Sequence, residues 1–202
     1  MSFYQSKGLI PLKRHTIFKK VDDSIYYEEL ISRKGFSSIY TNAYHLRMPT
    51  RLCSLGKMYP INIKSAAKKH KARHILTQNI TNKGDIIYDR IPLLFNKDII
   101  IYKSHVNKSM ESFYRNAHFD ELLYIQSGEG TLSTNFGNLK VQKGDYIVIP
   151  SGVIWKLLIN NDLQILIIES STAIETPKKY RNEFGQLLEH SPFCERDIKV
   201  PD

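Results

Sequence analysis

Gly144-Asp145-Tyr146-Ile147-Val148-Ile149-Pro150-Ser151-Gly152-Val153-Ile154-Trp155 sets the character of this 202-residue chain. Lys143-Gly144-Asp145 is a turn signal, 146–150 a short run of β-formers, Ser151-Gly152 a second turn, and 154–159 the next run. Working outward, the same punctuation recurs. Segments 131–136 and 139–142 meet at Gly137-Asn138, 121–126 ends at Ser127-Gly128, and 163–169 follows Asn160-Asn161-Asp162. Segment 99–105, equally rich in Ile, Tyr and Val, precedes them all. Short strands at this spacing predict an antiparallel sandwich or small barrel. Turns this tight leave no room for the crossover helices that a parallel sheet needs.

Two spacings inside this region resemble the motifs of the metal-binding cupins. The first cupin motif has two histidines one residue apart, then a glutamate, then six residues and a glycine. Glu121 and Gly128 match its second part, but Tyr114-Arg115-Asn116-Ala117 stands where the histidines belong, and His118 lies too close to Glu121 to replace them. The second motif requires a glycine, five residues, a proline, any residue, a glycine, two residues and a histidine. Gly144, Pro150 and Gly152 match; Trp155 stands in place of the histidine. A mononuclear iron, manganese or zinc site needs converging imidazole or carboxylate donors. Asparagine is a poor donor for such a site, and tryptophan is none. The glycines and proline serve backbone geometry instead, so the fold persists where the site does not. A metal-free jelly roll is expected, with no catalytic, cofactor-binding or metal-ligating residue assigned in this chain.

Around the barrel the signals are weaker. Tyr26-Tyr27-Glu28-Glu29-Leu30-Ile31 and 36–46 have the character of extended segments, and 65–74, with Ser65 as a cap, is the helix candidate. The resulting division is an N-terminal extension packing on the barrel over 1–98, the degenerate cupin barrel over 99–172, and a polar, irregular connector over 173–202. The formal charge of +9 raises nucleic acid as a partner, but the basic residues are scattered along the whole chain. The one dense run, Lys68-Lys69-His70-Lys71-Ala72-Arg73-His74, is short, and its positive charge disfavours a cation between His70 and His74; we take it as a solvated face. Gly128-Glu129-Gly130 lacks the third glycine of a nucleotide fingerprint and is assigned to a hairpin. Glu189-His190 has no accompanying nucleophile, and Arg115, Asp120 and Glu121 suit a surface charge cluster as well as a site. No apolar run is long enough to span a bilayer, and the N-terminus has no apolar signal region, which predicts a cytoplasmic chain with Cys53 and Cys194 as reduced thiols.

The chain also resembles the bacterial homogentisate 1,2-dioxygenases along most of its length. The resemblance is carried by Phe3-Tyr4-Gln5-Ser6-Lys7-Gly8, Tyr44-His45-Leu46-Arg47, and Phe113-Tyr114-Arg115-Asn116-Ala117 with Asp120-Glu121. Its most specific block is Tyr180-Arg181-Asn182-Glu183-Phe184-Gly185-Gln186-Leu187-Leu188-Glu189-His190. His118 departs from the family pattern, and 53–90, with the basic run, matches poorly. The resemblance implies a double cupin whose ferrous ion, in the second cupin, opens the ring of homogentisate with dioxygen in tyrosine and phenylalanine breakdown. None of those iron ligands maps onto this sequence, so Fe(II) is expected only in the missing C-terminal half and the chain alone is expected to be inactive. The implied partner is a separately encoded C-terminal cupin half, with self-association of the exposed barrel face also expected. The competing expectation is a stand-alone, non-catalytic cupin that binds a small molecule or a protein.

Overall fold

The computed structural model describes residues 19–32, 40–49, 51–65 and 71–201. They fall into two compact units: 1–62 with 182–186, and 63–181 with 187–202. In the first, β1 (Tyr27–Ser32) and β2 (Tyr40–His45) form an antiparallel hairpin with Tyr27 opposite His45 and Ser32 opposite Tyr40. Glu29 and His45 close it with a 2.8 Å contact. The extended stretch expected over 36–46 is thus found from Tyr40; 36–39 lie outside the described residues.

Among the described residues, the second unit holds nine strands: β3 (Ile91–Phe95), β4 (Ile99–Val106), β5 (Tyr114–Arg115), β6 (Asp120–Ser127), β7 (Glu129–Thr134), β8 (Gly137–Gln142), β9 (Tyr146–Ile149), β10 (Ile154–Ile159) and β11 (Leu163–Ser170). They form two antiparallel sheets, ordered β5-β10-β7-β8 and β3-β4-β11-β6-β9. This is a mainly β, jelly-roll-like arrangement of antiparallel sheets. Strand alternation decides what lies inside. In β11, Leu163, Ile165, Ile167 and Glu169 are buried while Gln164, Leu166, Ile168 and Ser170 are partly exposed, the period-2 pattern of a sheet with one packed face. Leu123, Ile125, Leu132, Trp155, Leu157 and their neighbours complete the core between the sheets.

Two boundaries differ from those expected. The sheet begins before residue 99, because β3 pairs with β4 at the sheet edge, with Ile91 opposite Lys103. Ile86 is fully buried in the core, and Gly84 bridges Val106. Pro92 hid this strand in the sequence: proline argues against a central strand but is tolerated at an edge. At the other end, 187–201 belong to the same compact unit as the sheets, with the Lys199 ammonium 2.6 Å from Asp145. Their only regular structure is a short 3-10 turn, Glu195–Asp197. The helix expected over 65–74 falls mainly on 66–70, outside the described residues, and 71–74 have no regular structure. No helix among the described residues is long and apolar enough to cross a membrane.

Gly128, Gly144 and Gly152 have φ of 89°, 94° and 88°, in the left-handed region that side-chain-bearing residues avoid. Gly128 is also crowded: a Cβ there would lie 2.3 Å from the Asp162 carbonyl oxygen, whereas one on Gly144 would meet open space. Gly128→Ala is therefore expected to cost about 2 kcal/mol or more and Gly144→Ala about 1 kcal/mol. Urea unfolding of the two variants checks the order; equal losses would contradict the role given to the close approach.

Candidate functional site

The residues at the cupin motif positions lie together in the interior, where they hold a different chemistry. Glu121 enters from β6, Trp155 from β10, Tyr114 from β5 and Asn116 from the turn that follows it. Glu169 joins them from β11, directly opposite Glu121 in the strand register. Like charges set opposite one another on neighbouring strands repel, and this pair is buried. The cation between them is Arg90, just before β3. Its Nη2 lies 2.8 Å from Glu169 Oε1 and its Nη1 3.5 Å from Glu121 Oε1, with side-chain exposures of 7% for Arg90, 4% for Glu169 and 1% for Glu121. The guanidinium also lies over the Tyr102 ring, 4.3 Å from its centroid, where the ring face attracts a cation.

The other carboxylate oxygens are taken by neutral donors. Asn116 Nδ2 donates to Glu169 Oε1 at 3.0 Å, and the Tyr102 hydroxyl donates to Glu169 Oε2 at 3.2 Å. Trp155 Nε1 donates to Glu121 Oε2 at 3.1 Å. Glu121 Oε1 and Arg90 Nη1 make no hydrogen bond and lie 3.5 Å apart as an ion pair. Tyr114 packs edge-on against Trp155, 5.5 Å between centroids.

These surroundings set the protonation states. Burial pushes the Glu121 carboxyl up to about 7; Arg90 pulls it down and Glu169 pushes it further up. Burial opposes the Arg90 charge, but Glu169, then Tyr114, Tyr102 and Glu121, outweigh it and raise its pKa further. Burial pushes both Tyr102 and Tyr114 up to about 12, so both stay neutral and free to donate. The donor set does not fit a divalent metal. An indole N–H, an amide N–H and a phenol are aimed at the carboxylate oxygens a metal would use, and a guanidinium sits between them. Among the described residues, no three His, Cys, Asp or Glu are grouped closely enough to hold a metal ion.

The other sequence candidates do not join this cluster. Arg115 and His118 are exposed, and His118 approaches only through its backbone N–H, which donates to Asn116 Oδ1 at 3.1 Å. Asp120 and Glu121 are buried, which corrects the surface-cluster alternative: Asp120 accepts from the Ser151 and Ile174 backbones at 2.9 and 2.8 Å. Glu189 and His190 are exposed, Gly128 lies in a turn, and of the basic run only 71–74 are described, all exposed. Sequence reasoning missed Arg90, Tyr102 and Glu169. Glu169 carried a signal, since it continues the inward series of Leu163, Ile165 and Ile167. Arg90 carried none.

The chain matches the family model described as "Homogentisate 1,2-dioxygenase N-terminal" over residues 76–179. It is 41% identical to the "Putative dioxygenase SSO1533" of Saccharolobus solfataricus over 204 residues, covering 100% of this chain and 52% of that protein. The chain thus spans about half the length of this curated relative. Among solved structures, a cupin-2 domain containing protein from Shewanella frigidimarina is 23% identical, covering 41% of this chain and 80% of that one, with a TM-score of 0.38. The plu4264 protein of Photorhabdus luminescens is 21% identical, covering 50% and 88%, with a TM-score of 0.41. Neither structural likeness bears on activity.

A pH dependence follows from the cluster. The folded-state pKa of Glu121, about 7, lies above its ordinary value of 4.5, so its protonated form favours the folded chain. That contribution is full below about pH 4.5 and is lost as pH rises through about 7. Glu121→Gln, which stays neutral at every pH, is expected to flatten the fall in stability between about pH 5 and 8. Urea midpoints of parent and variant across this range check it; parallel curves would count against a raised Glu121.

Proposed function

The chain belongs to the homogentisate 1,2-dioxygenase N-terminal family, and from that we propose that it is the metal-free half of a homogentisate 1,2-dioxygenase-like enzyme. In this reading the whole assembly opens the ring of homogentisate with dioxygen in tyrosine and phenylalanine breakdown. The observation that carries the division of labour is the Arg90–Glu121–Glu169 cluster, which puts a guanidinium and hydrogen-bond donors at the cupin ligand positions. A ferrous site needs open coordination positions and several nitrogen or carboxylate donors. We therefore assign Fe(II) and the ring-cleavage chemistry to residues outside this chain, in a second cupin half.

The outer face of the five-stranded sheet supports a partner of that kind. Leu94, Ile101, Ile168, Leu122 and Val148 line up across all five strands as successive register partners. The row is apolar, and its ends, Leu94 and Val148, are exposed. Contiguous apolar surface on a soluble chain marks an interaction site, and the relative's additional length is the natural occupant. A small-molecule role is the second reading, favoured by a cleft of about 350 Å³ lined by Asp85, Tyr88, Lys108, Glu111 and Phe113, with Tyr114 joining it to the buried cluster.

Two measurements test the first reading. The purified 202-residue chain is expected to hold no stoichiometric iron and to consume no homogentisate; iron-dependent ring cleavage by this chain alone would overturn it. Mixed with a polypeptide corresponding to the rest of the relative, the chain is expected to form a complex that Ile168→Lys weakens at least tenfold, since a charge would be buried in the apolar row. Unchanged affinity on gel filtration or calorimetry would rule this face out.

A further inference from the structure

Arg90 enters the dioxygenase reading only as a group that displaces a metal, and its own surroundings carry more. Each of the four oxygens of Glu121 and Glu169 has a donor or the guanidinium beside it. Glu169 Oε1 receives Arg90 and Asn116, Glu169 Oε2 receives Tyr102, Glu121 Oε2 receives Trp155, and Glu121 Oε1 faces Arg90 Nη1. Tyr102 supplies a flat surface for the guanidinium face. Two carboxylates edge-on and an aromatic ring face-on form a cradle for a planar, forked cation.

We propose that the Arg90 guanidinium is the resident cation of this jelly roll, and that the cradle around it is selective for a guanidinium over other cations. The side chain gathers and neutralises the facing carboxylates at the point where cupin motif spacing otherwise places a metal ion. Because Arg90 immediately precedes β3, the same contact fastens that edge strand and the segment through Gly84 and Ile86 onto the sheet. The geometry is selective. A lysine ammonium is a point charge without the planar fork or the stacking face, and a divalent ion would find only two carboxylates as ligands, with Trp155, Asn116 and Tyr102 already donating to three of their four oxygens.

The test is chemical rescue of Arg90→Ala, followed by thermal unfolding. Removing one partner of a buried ion pair strands the others, so the melting midpoint is expected to fall by about 10 °C. Millimolar methylguanidinium is expected to restore a saturable part of the loss, while tetramethylammonium and manganese(II) restore none, and Arg90→Lys is expected to behave like the alanine variant. A fall of less than about 2 °C, equal recovery with tetramethylammonium, or recovery with manganese alone would each overturn the proposal. Should Arg90→Ala not fold, the comparison moves to a Glu121→Gln/Glu169→Gln background. There Arg90→Met is expected to be neutral or stabilising, because the cation has lost its counter-charges; a loss as large as in the parent would overturn it.

Discussion

Two carboxylates face one another across a single strand pair inside the jelly roll. Glu121 and Glu169 are register partners on β6 and β11, both on the inward face and both buried. Water cannot screen them there, and a low-dielectric interior does not tolerate bare like charges. Much of the surrounding arrangement answers this constraint. Arg90 lies between them, Tyr102 and Asn116 turn their donors toward Glu169, and the Trp155 indole does the same for Glu121. The interior is thus organised around a charge problem solved with side chains.

Site and scaffold are separable in this fold. The positions that shape the backbone retain the cupin pattern: Gly128, Gly144 and Gly152 all have positive φ, and Pro150 stands between the last two. The positions that would carry metal chemistry hold Asn116 and Trp155. Backbone requirements and ligand chemistry are enforced by different atoms, so one survives the loss of the other. Glu121 stands at its motif position with the Arg90 guanidinium beside it.

Legibility varied with how local the signal was. The strands from 99 onward were readable because period-2 alternation and turn residues are written within a few positions of one another, as in β11. β3 was not readable, since Pro92 masks an edge strand whose identity depends on pairing with β4. β5 is too short to carry a pattern, and the tail has almost none. At the site, motif spacing singled out Glu121, Asn116 and Trp155 only as positions of missing metal ligands, and Glu169 was within reach of the alternation rule. Asp120, taken as possible surface charge, turned out to bridge two backbone segments.

The sequence by itself determined that this region is an antiparallel jelly roll and that its cupin ligand positions cannot assemble the usual donors. Both facts depend on residue type and short-range spacing, which a chain carries without being folded. The tertiary structure alone decided what fills the place of those donors. Arg90 meets Glu121 and Glu169 because β3, β6 and β11 lie in one sheet, and no spacing rule links residues brought together only by strand order. A charge is placed in sequence, but its partner is chosen by the fold.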